Sequence, residues 1–177
     1  MKDKVISVQA KITPEVFREF ALFDTMYRQK RYRSPLLFAV ILAIFACICF
    51  SQQGRHEQAV LLGGVLLTVG IGLPLAYILI FLSSVNTKAK QLKLDSTPAA
   101  YTVSLSPELV VVTAGGQRAE YVWKDIAYAY RIKQSTCLYV GPNRAYLLPI
   151  ASQQEEVERW SLISGQLSPE SRKDLRK

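Results

Sequence analysis

Two uninterrupted apolar runs divide an otherwise polar chain. The first extends from Pro35 to Phe50 (PLLFAVILAIFACICF) and the second from Ala59 to Leu82 (AVLLGGVLLTVGIGLPLAYILIFL), and neither holds a charged side chain. A helix needs about 20 apolar residues to cross a bilayer core. The second run meets that length. The first is slightly short, and Ser34, Ser51 and the flanking arginine stems extend it by snorkelling. The short polar loop Ser51–Gln58 forces the two helices antiparallel. The pattern therefore predicts a transmembrane hairpin over residues 34–83, with spans at about 35–50 and 59–82. A cleavable signal peptide is not expected, because a long polar segment precedes the first run and a second span follows almost at once.

Outside the runs the pattern changes. Lys4 to Ile12 alternates apolar and polar positions and reads as a strand. Thr13-Pro14-Glu15 is a helix start: a capping residue, proline at the first position and an acid in the first turn. The helix it opens is expected to reach about Gln29 with a stripe of Val16, Phe17, Phe20, Phe23 and Tyr27. That stripe fits two placements, packed on a soluble domain or lying at the membrane interface. Residues 84–98 read as a polar, basic connector ending at Thr97-Pro98. Short strands follow at Tyr101–Leu105, Leu109–Thr113, Arg118–Val122, Ile126–Lys133, Cys137–Val140 and Ala145–Pro149. Gly115-Gly116 and Gly141-Pro142-Asn143 supply turns. Ser152 to Glu155 is a capping-box pattern opening a helix with Val157, Trp160 and Ile163 or Ser164 inward, ending near Gly165. The last segment, 168–177, reads as a charged, frayed tail.

The expected fold class is thus membrane α+β: a two-helix transmembrane hairpin plus a small antiparallel β-barrel or sandwich with a C-terminal capping helix. That is the order of a PH-like domain. The divisions are 1–33 (strand and amphipathic helix), 34–83 (hairpin), 84–98 (connector), 99–167 (PH-like β-domain with its closing helix) and 168–177 (tail). Pairing of the first strand with the distal sheet would make the hairpin an insertion in one domain.

Charge sets the orientation. The chain has a formal net charge of +8. Arg28, Lys30, Arg31 and Arg33 precede the first run, Lys88, Lys90 and Lys93 follow the second, and Arg55 stands alone in the loop beside Glu57. Both basic flanks therefore belong on the cytoplasmic side of a cell (inner) membrane, with both ends of the chain inside and the loop, with the single histidine His56, outside. The same seven basic residues are those an anionic lipid headgroup would meet.

Within the runs, small residues recur every fourth position: Ala39, Ala43, Cys47 and Ser51 in the first, Gly64, Thr68, Gly72 and Ala76 in the second. Such ridges let helices approach closely, either within the hairpin or between copies. Pro74 is expected to kink the second helix and free a carbonyl near Gly70. The three cysteines, Cys47, Cys49 and Cys137, are too scattered for a disulfide framework and read as small packing residues.

The distal stretch carries a family resemblance. Tyr121-Val122-Trp123-Lys124-Asp125-Ile126 resembles the W-x-D-I element of the YcxB-like family of bacterial membrane proteins. Leu138-Tyr139 and Leu147-Leu148-Pro149-Ile150 resemble its later strand pair, and the strand before Thr13-Pro14-Glu15 completes the order. The resemblance implies a PH-like cytoplasmic domain on a two-helix anchor, and no enzyme activity. The W-x-D-I element also has a structural reading, an indole in the core and Asp125 capping a turn.

No catalytic, cofactor or metal site is expected. The glycine pairs lie in a hairpin turn or in the apolar runs, not between a strand and a helix as a nucleotide loop requires. No carboxylate pair shares a cleft, and the lone histidine lies across the membrane from every nucleophile outside the spans. The absence of charge in the spans argues against a proton or ion path. Nucleic acid is not an expected partner, since no recognition signature accompanies the positive charge. The expected function is therefore non-enzymatic: protein interaction or self-association by the cytoplasmic domain, with membrane lipid as the constant partner. Anionic-lipid sensing and an accessory role beside a transporter are the alternatives.

Overall fold

In the computed structural model of the chain, the described residues are 5–52, 54, 58–94, 99–141 and 144–176. The expected features at Lys4, Arg55-His56-Glu57, Thr97-Pro98, Pro142-Asn143 and Lys177 lie outside them. The chain divides into two compact units, and their described residues fall within 5–20 and 89–176 for the first and 21–88 for the second.

The first unit is built on the alternating segments. Strand β1 (Ile6–Ile12) pairs antiparallel with β2 (Ala99–Leu105), Ile6 opposite Leu105 and Ile12 opposite Ala99. Residues far apart in sequence therefore share one sheet, and both long apolar helices lie between them in the chain. β3 (Leu109–Ala114) and β4 (Gln117–Val122) complete the order β1-β2-β3-β4. The β3–β4 turn uses Gly115 and Gly116 at φ 55° and 82°, the left-handed pair that a two-residue hairpin requires. A 3₁₀ turn, Trp123–Asp125, leads into a second sheet of β5 (Ile126–Arg131), β6 (Ser135–Val140), β7 (Ala145–Pro149) and β8 (Arg172–Asp174), in the order β7-β6-β5-β8. Only β8 is parallel to its neighbour, β5.

The inner faces of both sheets and helix α4 (Gln153–Gln166) share one core, including Val103, Val112, Ile126, Leu138, Leu148, Ile163 and Leu167. The barrel is not closed, because β1 and β7 pack together without a ladder. The Tyr101 hydroxyl bridges that seam, donating to Leu147 O and accepting from Leu147 N, each at 2.7 Å. Trp123 is buried and donates its indole N–H to Ser106 O at 2.9 Å, while Asp125 Oδ2 accepts Val122 N at 3.2 Å. The W-x-D-I element therefore ties the junction between the sheets.

The outer face of the second sheet is covered by helix α1 (Pro14–Leu22). Val16 is buried, the Phe20 ring lies 6.3 Å from that of Tyr139, and Gln134 N donates to Glu19 Oε2 at 3.1 Å. This first part of the aromatic stripe packs on the β-domain.

Two expectations are corrected here. Ile163 is in the core and Trp160 packs against it as expected, but Val157 is exposed, and Glu156 and Arg159 take the inward positions of the first turns of α4. The spacing 156, 159, 163 is as helical as the apolar one, so hydrophobicity alone passes over the two charged positions. The charged segment after Leu167 is ordered: a 3₁₀ turn at Pro169–Ser171 leads into β8.

The second unit holds the apolar runs. Helices α2 (Arg33–Ser51) and α3 (Gln58–Gln91) are long and apolar enough to cross a membrane, with a mean hydropathy of 2.5 in each window and only 6% of it buried. Helix α3 continues past Leu82, so Ser83–Gln91 is helical where a connector was expected. Before α2, the backbone widens into a π-helix at Phe23–Arg28, replacing the α-helix expected to Gln29. Asp24 accepts from Arg28 Nε at 2.5 Å and from the Gln29 side chain, while Phe23 stacks on Tyr27 at 5.6 Å.

Within the hairpin the contact follows a different line from the every-fourth small-residue ridges, whose alternative role is contact between copies. In α2 the less exposed positions are 35, 39, 42, 46 and 49, and in α3 they include 59, 63, 64, 66, 70, 74, 77 and 81. Steps of three and four mark a coiled-coil-like seam, not an every-fourth-residue ridge. A Cβ on Gly70 would stand 3.2 Å from Leu42 Cβ, and one on Gly63 would meet the Phe50 ring at 2.9 Å. A Cβ on Gly64 or Gly72 would meet nothing within 4 Å, and Thr68, Ala76 and Cys47 are exposed. Of the expected packing residues, Ala39 lies on the seam, and Ala43 lines a small apolar groove beside Leu67 and Gly70.

Candidate functional site

The densest group of charged side chains lies where β5, α4 and the final segment meet. Arg131 is the last residue of β5, on the inward-facing parity of Ala129, so its guanidinium is directed toward the core face. Glu156 and Arg159 stand one helical turn apart on the inward face of α4. Arg131 Nε donates to Glu156 Oε1 at 2.6 Å, and the Glu156 side chain is fully buried. The other carboxylate oxygen, Oε2, accepts from Arg176 Nη1. Arg131 Nη1 donates to Asp174 Oδ2 at 3.0 Å, and its guanidinium carbon lies 5.6 Å from the centre of the Trp160 ring.

Backbone pairing places the acid. Asp174 stands opposite Arg131 in the β5–β8 register, and Leu175 N donates to Arg131 O at 2.8 Å. Arg172 Nη1 donates to Ser164 O, fixing the start of β8 to α4. The final segment thus lies as an extended strand along β5 and beside α4.

Charge within the group is unevenly matched. Arg159 is 3% exposed, and its only described hydrogen bond is a long one of 3.4 Å from Nη1 to Pro149 O. Its Nε and Nη2, with Arg131 Nη2 and the Thr136 hydroxyl, have no hydrogen-bond partner among the described residues. Burial lowers the Arg159 pKa; Glu156 opposes that shift and Arg131 adds to it. β5 and α4 hold the two guanidiniums of Arg131 and Arg159 against the one carboxylate of Glu156. The final segment adds the Asp174 carboxylate and the Arg176 guanidinium, so the excess of one positive charge persists.

A second polar group lies at the seam between the sheets. The Tyr121 and Tyr146 hydroxyls are 2.8 Å apart, and the Arg144 guanidinium carbon lies 5.4 Å from the centre of the Tyr146 ring. Desolvation, then the bond to Tyr121, pushes the Tyr146 pKa up to about 12. Burial also raises Tyr101. Among the described residues no group of three His, Cys, Asp or Glu is arranged to hold a metal.

The basic residues picked from the sequence take part in neither group's described contacts. Lys30, Arg31, Arg33, Lys88, Lys90 and Lys93 are exposed, whereas Arg28 is partly buried beside Asp24. Lys30 and Lys93 adopt φ of 51° and 52°, each at a helix boundary. Sequence reasoning missed Arg131, Glu156, Arg159, Asp174 and Arg176. Glu156 and Arg159 were visible only as an inward i, i+3 pair that apolar patterning passes over, and Asp174 and Arg176 sit in a segment too charged to read as ordered.

The chain matches no family model, no curated protein and no solved structure.

Proposed function

We propose that this chain is a two-pass membrane protein of the YcxB-like type, with both ends in the cytoplasm. Its β-domain is a non-enzymatic, PH-like interaction module. The observation that carries the membrane part is the surface of α2 and α3. Leu36, Leu37, Ile44, Leu61, Leu79 and Ile80 are each more than half exposed, away from the seam between the two helices. The core helix of a soluble protein hides such residues. Exposing them to water costs about 25 cal/mol for each Å² of apolar surface, and lipid removes that cost. The basic flanks then set the orientation.

The PH-like reading is supported by strand order: a four-stranded antiparallel sheet, three further antiparallel strands, and a helix entering the shared core. The interaction reading rests on the group at β5 and α4, which binds an extended segment by backbone pairing and by matched charges. Affinity capture of the detergent-solubilised chain tests it: recovery of a stoichiometric protein partner or of a second copy is expected, and monomeric, partner-free protein would contradict it.

Anionic lipid is a second reading, favoured by the exposure of Lys30, Arg31, Arg33, Lys88 and Lys90. On this reading, anionic vesicles raise the thermal stability of the reconstituted chain and zwitterionic ones do not. Equal stability in both would remove it.

A further inference from the structure

We infer that the edge of β5 beside α4 is a strand-docking groove, filled by the chain's own Arg172–Arg176 and open to an extended segment of the same chemistry from a second copy. The inference rests on the interaction reading above and names its partner.

Three observations carry it. The apolar core ends at Leu167; of the residues after it none belongs to the core. The final segment is held by backbone bonds and charge: the β5–β8 ladder, the Leu175 amide on Arg131 O, and the contacts of Asp174, Arg176 and Arg172. Elements attached in this way open at lower free energy than the core beneath them.

Second, β8 is three residues long and parallel, against the six residues of β6 on the other side of β5. Its removal leaves β5 as an edge strand with unpaired backbone groups, the usual template for an added strand.

Third, the groove selects chemistry. Arg131 takes a carboxylate opposite it in register, and Glu156 takes a guanidinium two residues later. The recognised pattern is an extended Asp-x-Arg, present in this chain as Asp174-Leu175-Arg176. A second copy carries the same pattern, and exchange of identical segments is a low-cost route to a dimer.

The test uses the full chain in detergent and a fluorescent peptide spanning Ser168–Arg176. Asp174→Ala/Arg176→Ala releases the segment while leaving the Arg131–Glu156 pair in place. Leu175→Pro is the second variant; it removes a backbone bond and no charge, and serves if the first fails to fold. In the variant, hydrogen exchange at residues 173–175 accelerates while β6 stays protected. The peptide then binds the variant saturably and the native chain at least about tenfold more weakly, because the tethered segment competes at high effective concentration. A peptide carrying the Asp174→Ala and Arg176→Ala changes does not bind. Retained protection at 173–175, equal binding to native and variant chains, or no binding to a variant whose segment has been released would each overturn the inference. None of these readouts depends on membrane topology or on capture of a partner, so the groove can fail without the anchor failing.

Discussion

Arg131 Nε lies 2.6 Å from Glu156 Oε1, joining the end of a central strand to the inward face of the closing helix with both side chains sealed from water. A buried ion pair of this kind is costly to break on one side. The cost comes from the charge left behind as well as from the lost contact.

Glu156→Ala therefore leaves Arg131 and Arg176 to share Asp174, and Arg131→Ala leaves the buried Glu156 with Arg176 alone. Each is expected to destabilise the β-domain by about 3–5 kcal/mol. The combined change Arg131→Met/Glu156→Leu recovers most of that loss. Thermal denaturation of the detergent-solubilised variants checks the cycle, and additive single losses would refute the coupling.

Arg159 makes the opposite prediction. It is buried with Nε and Nη2 unpartnered, and burial lowers its pKa. Arg159→Met keeps the aliphatic stem and removes the desolvated charge, so stability is expected to rise by about 1–3 kcal/mol. A fall of that size would mean that the guanidinium is held by a favourable partner.

The expected every-fourth ridge and the observed seam lead to different hairpins. Gly70→Leu collides with Leu42, so it is expected to lower the protein's melting temperature and raise its protease sensitivity in detergent. Gly72→Leu meets no atom and is expected to leave both unchanged. The reverse result would restore the Gly64, Thr68, Gly72 and Ala76 ridge as the contact face.

Much of this architecture was legible in the sequence because it follows simple periods. Uncharged runs gave α2 and α3, alternation gave β1 to β7, and Ser152 gave the start of α4, where its hydroxyl accepts Glu155 N at 3.2 Å. The charged group was not legible for a physical reason. Patterning finds the inside by hydrophobicity, and here Arg131 and Glu156 are inside because they pair with each other, while Arg159 is buried beside them on the same helical face. The seam was missed for a related reason: both helices carry apolar residues all round, so composition leaves the contact line undetermined, and only Gly63 against Phe50 and Gly70 against Leu42 decide it.

The seam between the sheets gives an alkaline prediction. Tyr146 has its folded pKa pushed from the ordinary 10.0 up to about 12, first by desolvation and then by Tyr121. The raised value means that its contribution is fully present below about pH 10 and is lost as pH rises from there through about 12. Melting temperature should therefore fall over that interval, and Tyr146→Phe should flatten part of the fall. Tyr101→Phe leaves Leu147 N and O without the hydroxyl that bridges them and is expected to cost about 1–3 kcal/mol at neutral pH.

The central claim is a hairpin that crosses the membrane and returns. Its most direct test is labelling of intact cells with a membrane-impermeant maleimide, in a chain whose Cys47, Cys49 and Cys137 have been replaced by alanine. Gly54→Cys, between the two helices, is expected to label in intact cells, while Lys173→Cys, in the exposed part of β8, labels only after permeabilisation. Labelling of Lys173→Cys in intact cells, protection of Gly54→Cys, or recovery of the chain in the soluble fraction would contradict the account.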